Sequence, residues 1–170
     1  GPIGLFAVQV AKAYGARQVL LVGGRDERLQ AGLDLGADVV IDYRKGHVAR
    51  QVAEATAGEM VGVVIEAVGR KEVWPMIAAI VAPGARVVMT GLFAGATCDV
   101  DFDPLVVGEV SIMGSLGAPG MWPECISLHQ KGLVRAERII THRLPLADFA
   151  QAVEISRSRQ GGAIKVLLTP

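Results

Sequence analysis

The 170-residue chain has few of the residues that build metal, disulfide or nucleophile sites. Its two cysteines, Cys98 and Cys125, are far apart and belong to no CxxC or Cys/His pattern, so neither a disulfide framework nor a zinc knuckle is indicated. The three histidines, His47, His129 and His142, have no i, i+4 partner, and we expect no metal site within this chain. No G-x-S-x-G motif is present. The sequence therefore offers no catalytic residue of its own.

Excess charge of one sign and long apolar runs are also missing. Lys plus Arg and Asp plus Glu number 17 each, so bulk charge gives no reason to expect binding to nucleic acid or to a membrane surface. Every apolar stretch is interrupted well short of a membrane span, and no basic segment followed by an apolar one opens the chain. We expect a soluble, cytoplasmic protein that binds neither nucleic acid nor membrane.

The chain does have a regular alternation of helix and strand patterns. Apolar residues from Ile3 to Tyr14 repeat at i, i+3, i+4 and i+7, which predicts a helix ended by Gly15. The apolar run at 18–22 predicts a parallel strand covered on both faces. Further helices are predicted at 27–35, ended by Gly36, at 48–57, ended by Gly58, and at 73–80; further strands are predicted at 39–41, 62–67 and 85–89. This order is typical of an α/β fold with a doubly wound parallel sheet.

The alternation breaks after Gly91. We interpret 92–108 as a loop crossing the surface, with 100–102 as a short extended piece and with Asp99, Asp101 and Asp103 solvated, since they lack the Gly and distal Glu of an EF-hand. A strand is predicted at 110–115, and a helix is predicted at 122–130, ended by Gly132. The remaining tail predicts a β-α-β segment with strands at 139–144 and 163–168 and a helix at 146–156. We therefore divide the chain into a dinucleotide-binding Rossmann domain, 1–138, and a tail, 139–170, that would return to a neighbouring domain.

The first residues, GPIGLFAVQV, look like the end of a dinucleotide-binding fingerprint. In G-x-G-x-x-G the glycines let the backbone approach pyrophosphate at a helix N-terminus. Gly1 and Gly4 supply only the last two glycines, and the first glycine and its strand are missing. We interpret the chain as the cofactor-binding part of a longer protein. Because the first Rossmann strand normally lies inside the sheet, we expect the chain alone to be poorly stable.

Small residues follow the predicted strands at successive ends, at 23–24, 67–69, 91 and 114–115. In open parallel sheets ligands bind beyond these ends, and a phosphate-bridged ligand needs close access to the backbone there. An acidic residue after the second Rossmann strand would favour NAD, but this sequence has Gly23, Gly24 and Arg25. Arg25 can offer a charge-assisted fork to a 2′-phosphate, and Tyr43 follows the next strand. This favours NADP; NAD stays open because Asp26 could turn back to the ribose.

Several segments together resemble one family. They are GPIGLFAVQVAKAYGA, ERLQAGLDLGADVVIDY, VVIEAVG, VAPGARVVMTGL and IMGSLGAPGMWPECISLHQKGLV, in that order. They resemble the cofactor half of the zinc-dependent medium-chain alcohol and polyol dehydrogenases. The tail ITHRLPLADFAQAVEISRSRQGGAIKVLL is similar to that family's return to its catalytic domain. The resemblance implies hydride transfer between an alcohol or polyol and nicotinamide, with the zinc held by an N-terminal domain that this chain does not contain.

The resemblance also implies positions for the cofactor and for a partner subunit. A homo-oligomer would form through the strand near 110–117. The cofactor contacts fall into four groups along the chain. They are Gly1, Pro2, Ile3 and Gly4 at the pyrophosphate; Gly23, Gly24, Arg25 and Tyr43 around the adenosine 2′ position; Ala67, Val68, Gly91, Leu92, Ser115 and Leu116 along the nicotinamide and its ribose; and Lys165 at a phosphate.

Two other functions stay open at this point. One is a non-catalytic regulatory module that senses a dinucleotide, and the other is a different Rossmann enzyme, such as a methyltransferase, that binds another adenosine ligand. The tail after Gly132 favours the oxidoreductase, because a self-contained sensor needs no segment that returns to a second domain. The residues that would shape a substrate pocket are mostly absent, so the sequence does not name the substrate.

Overall fold

The computed structural model describes residues 1–117 and 119–170. Backbone contacts divide the chain into two compact units, the first comprising 1–40 and 120–170 and the second 41–119. Within the described residues, no helix is both long and apolar enough to cross a membrane. Helices and strands alternate as the sequence predicts, so the α/β class is confirmed.

The bounds of the elements agree closely with the sequence patterns. The glycines expected to end four helices, Gly15, Gly36, Gly58 and Gly132, all have positive φ, which only glycine adopts without strain. The helices are α1 Pro2–Ala13, α2 Asp26–Asp34, α3 Val48–Ala55, α4 Trp74–Ala78, α5 Asp103–Val107, α6 Trp122–Gln130 and α7 Phe149–Ser158. The strands are β1 Leu20–Gly23, β2 Val39–Asp42, β3 Val61–Glu66, β4 Val81–Met89, β5 Ser111–Gly114, β6 Ile140–Pro145 and β7 Lys165–Thr169.

The strands form three sheets, ordered β1-β2, β3-β4-β5 and β6-β7. In the three-stranded sheet all pairs are parallel, with Val64 opposite Val87 and Val87 opposite Ile112. The carboxyl ends of β3, β4 and β5 therefore share one edge, where the predicted small residues follow them. β6 and β7 are also parallel and are connected through α7, which gives the predicted β-α-β tail. The parallel pairing is confirmed, and β4 is the central strand of the three-stranded sheet.

The core of the first unit joins its two chain segments. Leu5 of α1 and Leu35 after α2 pack with Ile139, which is completely buried just before β6. Ile164, before β7, packs against the same cluster. The ammonium of Lys12 lies 3.0 Å from the carboxylate of Asp38, which also accepts a hydrogen bond from the Val19 amide. The tail is thus held against the first two helices mainly by apolar burial, the largest favourable term in folding.

The core of the second unit lies around β4. Val87 is completely buried and packs with Trp74 and Ile77 of α4 and with Leu105 of α5. Val64 of β3 and Met89 of β4 are partly buried against this cluster. These contacts cover β4 and attach the segment that follows Gly91 to the sheet.

Helix α5 corrects the prediction of a loop at 92–108. Asp103 is the first residue of this helix, and its amide donates to the carboxylate of Asp101 at 3.1 Å. Pro104 sits in the first turn, where its missing N–H costs nothing. The predicted extended piece at 100–102 joins no strand. The helix is too short to show periodicity, and burial of Leu105 in the core explains why it forms here.

We predict that Leu105→Ala lowers the free energy of unfolding by about 3 kcal/mol, because it removes buried methyl groups and leaves a cavity. The matched control is Val107→Ala on the same helix, where the side chain is 85% exposed and the cost should be under about 0.5 kcal/mol. Urea unfolding followed by circular dichroism measures both. Equal losses of unfolding free energy in the two variants would mean that burial of Leu105 does not hold α5 against the core.

Candidate functional site

In the first unit, helix α1 begins at the glycine-rich segment. Gly1 is the N-cap residue and Pro2 the first helical residue, so the proline removes an N–H that the helix leaves unpaired. Ile3 is 55% exposed, and a Cβ placed on Gly4 would meet nothing within 4 Å. The start of a helix of 12 residues with open space beside it is suited to an anion, because its free amides and its dipole favour negative charge.

Arg25 is the N-cap of α2, directly after β1 and Gly24, and it is partly buried with an extended backbone. It lines a cavity of about 180 Å³ in the first unit. Two more arginines, one glutamate and three small residues complete the wall. These are Arg28, Arg159, Glu27, Ser158, Gly162 and Ala163. With three guanidinium groups and one carboxylate, the cavity favours an anion.

Arg28 connects this cavity to the start of α1. Its Nη2 donates to the carbonyl of Ala163 at 3.0 Å, and its Nη1 is 3.8 Å from where a Cβ on Gly1 would lie. Arg159 ends α7 in the left-handed backbone region, with φ of 62°. Our sequence reasoning named Arg25 and missed both of these arginines. Spacing could have found Arg28, since it lies three residues after Arg25 on the same helix face, but only folding brings Arg159 there.

Two other predicted contact residues of this unit, Gly23 and Lys165, have simpler surroundings. Gly23 ends β1, and a Cβ there would lie 2.8 Å from Leu29 Cδ2, so it also lets α2 pack closely. Lys165 is exposed at the first position of β7, and its carbonyl accepts from the Thr141 hydroxyl at 3.2 Å. Lys165 is not among the residues that line the arginine cavity.

In the second unit, Tyr43 directly follows β2 and is 59% exposed. It begins a short 3-10 helix that Asp42 caps by accepting from the Arg44 amide at 2.9 Å. The Arg44 side chain donates to both carboxylate oxygens, from Nε at 2.9 Å and from Nη2 at 2.7 Å. These side-chain hydrogen bonds lower the pKa of Asp42 to about 2. Asp42 therefore stays ionised above that pH and keeps the turn that presents Tyr43.

The predicted nicotinamide residues follow the three parallel strands of this unit. Ala67 and Val68 follow β3, and Val68 is 62% exposed. Gly91 and Leu92 come after β4, and Ser115 and Leu116 after β5. The amide of Ser115 donates to the carbonyl of Met89 at 2.9 Å, which ties the third loop to β4. The structure thus brings all six residues to one sheet edge, where the side chains of Val68, Leu92 and Leu116 are exposed.

Two glycines let the loops after β3 and β4 touch. A Cβ on Gly69, whose φ is +69°, would collide with the backbone of Leu92. A Cβ on Gly91 would collide with the Gly69 amide and would lie 2.6 Å from Glu66 Oε2. Any side chain at either position would push the loops apart, so the shape of this edge depends on both glycines.

Glu66, which our sequence reasoning did not single out, lies beneath this contact. It ends β3 and is only 3% exposed. Its Oε1 accepts from the amides of Val68 at 2.6 Å and Gly69 at 2.8 Å. A carboxylate at the end of an otherwise apolar strand was the signal that could have found it, because buried carboxylates are rare unless they are partnered.

No group of three or more His, Cys, Asp or Glu residues that could hold a metal ion occurs among residues 1–117 and 119–170. The described side chains therefore do not fit a zinc ion. Within the first unit, the arginine-lined cavity has the charge and the hydrogen-bond donors that a phosphate group needs.

The sequence profile of a family described as zinc-binding dehydrogenase matches residues 2–131. The chain belongs to the zinc-binding dehydrogenase family. Among curated members, D-arabitol-phosphate dehydrogenase of Enterococcus avium is 32% identical over 99% of this chain and 48% of its own length. L-threonine 3-dehydrogenase of Bacillus licheniformis is 33% identical over all of this chain and 49% of its length. The chain spans about half the length of the curated relatives it matches.

Solved structures of zinc-binding dehydrogenases and their relatives have the same fold as this chain. A short chain alcohol dehydrogenase of E. coli CFT073, complexed with NADH, superposes with a TM-score of 0.93 at 30% identity, over 100% of this chain and 50% of that one. A protein of Sinorhizobium meliloti 1021, described as a zinc-binding dehydrogenase and bound to NADP, superposes with a TM-score of 0.90 at 27% identity. The match covers 100% of this chain and 50% of that one. The chain corresponds to the C-terminal, cofactor-binding part of the family.

We predict that Gly69→Ala destabilises the protein by about 2 kcal/mol more than Gly58→Ala does. Both glycines have positive φ, but a Cβ on Gly58 meets nothing within 4 Å, whereas one on Gly69 collides with Leu92. The pair separates backbone strain from the contact between the loops, and denaturant unfolding measures it. Equal destabilisation would show that the loops after β3 and β4 separate at no cost.

Proposed function

We propose that this chain binds a nicotinamide dinucleotide. The observation that carries the proposal is the cavity formed by Arg25, Arg28 and Arg159 in a chain of this family. The phosphates would bind to the start of α1 and to these guanidinium groups, and the nicotinamide and its ribose to the loops after β3, β4 and β5. The proposed contacts are Gly1, Pro2, Ile3, Gly4, Gly23, Gly24, Arg25, Tyr43, Ala67, Val68, Gly91, Leu92, Ser115, Leu116 and Lys165. We add Arg28 and Arg159 to the proposal because they line the same cavity as Arg25.

The preferred cofactor in this proposal is NADP. No carboxylate occupies the last position of β1 or the next two positions, which are Gly23, Gly24 and Arg25, and Arg25 lines the cavity. A 2′-phosphate would find a positive environment there, whereas NADH, which has a hydroxyl at the 2′ position, would give Arg25 no anion to bind at that position. Glu27 also lines the cavity and reduces the preference for NADP, because its carboxylate repels a phosphate.

We predict that the protein binds NADPH more tightly than NADH, and that Arg25→Ala weakens NADPH binding by about tenfold or more while changing NADH binding little. Fluorescence titration or calorimetry measures both. Arg143→Ala is the matched control, because it removes one exposed cation of the first unit that does not line the cavity. Tighter binding of NADH, or an unchanged NADPH affinity in Arg25→Ala, contradicts the choice of NADP. Binding of S-adenosylmethionine in place of either dinucleotide contradicts the whole assignment.

For the whole protein we propose hydride transfer between an alcohol or polyol and the nicotinamide. The names of the relatives, which include D-arabitol-phosphate and sorbitol dehydrogenases, support this substrate class. Bound nicotinamide supplies the hydride acceptor or donor. This chain binds and orients that cofactor, while zinc and the substrate need residues other than the described ones. We expect a cytoplasmic location, which cell fractionation tests, because Cys98 and Cys125 are free and exposed.

We also propose that two copies of the protein pair through β5. This strand is at the edge of its sheet, and all four of its residues are exposed, with Ile112 at 42% and Met113 at 48%. An uncovered apolar edge invites another strand, and a twofold axis would bring β5 of a second copy against it.

We predict that the protein sediments as a dimer or a larger even-numbered oligomer, and that Ile112→Lys shifts it toward the monomer because an unpaired charge would then lie in the interface. Val107→Lys, at a more exposed position of the same unit, is the control and should leave the assembly intact. Analytical ultracentrifugation distinguishes the states. A monomeric parent protein rules out the pairing.

A further inference from the structure

Glu66 uses its side chain to fix the loop after β3. The carboxylate Oε1 accepts from both the Val68 amide at 2.6 Å and the Gly69 amide at 2.8 Å. Both N–H groups therefore point toward the carboxylate of a residue that is only 3% exposed. Charge-assisted hydrogen bonds of this kind are short and strong, and a buried carboxylate needs them.

The backbone of Glu66 fixes the loop after β4 at the same time. Its carbonyl accepts from the amide of Thr90 at 2.8 Å, from the Thr90 hydroxyl at 2.6 Å and from the amide of Gly91 at 3.2 Å. The second carboxylate oxygen, Oε2, lies beside Gly91 and has no hydrogen-bond partner among the described residues. One residue thus holds two of the loops assigned to the nicotinamide.

We propose that Glu66 is a positioning residue for the nicotinamide end of the cofactor, an inference that rests on the proposed function. Because Glu66 accepts from the Val68 and Gly69 amides, these two N–H groups are not available to a ligand. The same hydrogen bonds hold Val68 on the surface with 62% of its side chain exposed. Loss of the carboxylate frees both amides to turn outward and lets the loop move away from Leu92.

A role limited to folding makes a different prediction. If Glu66 only stabilised the fold, its removal would weaken every nucleotide contact to a similar degree. A positioning role weakens binding of the nicotinamide half and spares the adenosine half, whose proposed contacts include Arg25 and Arg28 in the first unit. Adenosine 2′,5′-bisphosphate reports on the adenosine half alone, and NADPH on both halves.

The test measures dissociation constants of NADPH and adenosine 2′,5′-bisphosphate for the protein and for Glu66→Ala, Glu66→Gln and Glu72→Gln. We expect Glu66→Ala to weaken NADPH binding by about tenfold and to change bisphosphate binding by less than about twofold. Glu66→Gln should lose less affinity for NADPH than Glu66→Ala, because the amide oxygen of glutamine can still accept from both N–H groups. Glu72→Gln, an exposed carboxyl of the same unit, is the control and should match the parent protein.

Equal losses of affinity for the two ligands in Glu66→Ala, or unchanged NADPH binding in that variant, overturn the proposal.

Amide hydrogen exchange provides a readout that needs no ligand. The Val68 and Gly69 amides should be protected in the parent protein and should exchange at least about tenfold faster in Glu66→Ala, while Glu72→Gln leaves them unchanged. Unchanged exchange rates of these two amides in Glu66→Ala also overturn the proposal. A protein that binds neither nucleotide, yet shows exchange that depends on Glu66, instead refutes the cofactor assignment and keeps Glu66 as the residue that fixes the loop.

Discussion

The hydrogen bonds around Glu66 are the interaction on which the candidate nicotinamide surface depends. The carboxylate holds the amides of Val68 and Gly69, and the carbonyl of the same residue holds the loop after β4. The two loops can then meet only if no side chain lies between them, which explains glycine at 69 and 91. A buried charge, two close loops and an exposed apolar edge are therefore parts of one local arrangement.

The C-terminal tail has a comparable place in the first unit. Ile139 and Ile164 pack into the core formed by α1 and α2. Four tail residues complete the wall of the arginine cavity: Ser158, Arg159, Gly162 and Ala163. The guanidinium of Arg28 joins the two parts by its hydrogen bond to Ala163. The tail thus contributes to the wall of this cavity as well as to apolar burial, and any ligand that bound both parts of the wall would stabilise the packing of both segments.

Most elements could be predicted from the sequence because their signals are local. The helix at 122–130 was predicted with its exact bounds, and the glycines expected to end four helices all have positive φ. Helix α5 was missed because five residues are too few to show a period and Pro104 suggested a loop, while its stability comes from burying Leu105. Glu66 and Arg159 were missed because their importance depends on neighbours that the sequence does not reveal.

By itself the sequence determined the order of helices and strands, the small residues after the strands and the likeness to the dehydrogenase family. Each of these features depends on residue types at short spacing, that is, on periodicity, turn chemistry and glycine positions. Only the tertiary structure decided how the strands divide into three sheets, which arginines share a cavity and which carboxylate is buried under the loops. Those properties depend on contacts between residues far apart in the chain, and burial decides whether a charged side chain is solvated or must find a partner.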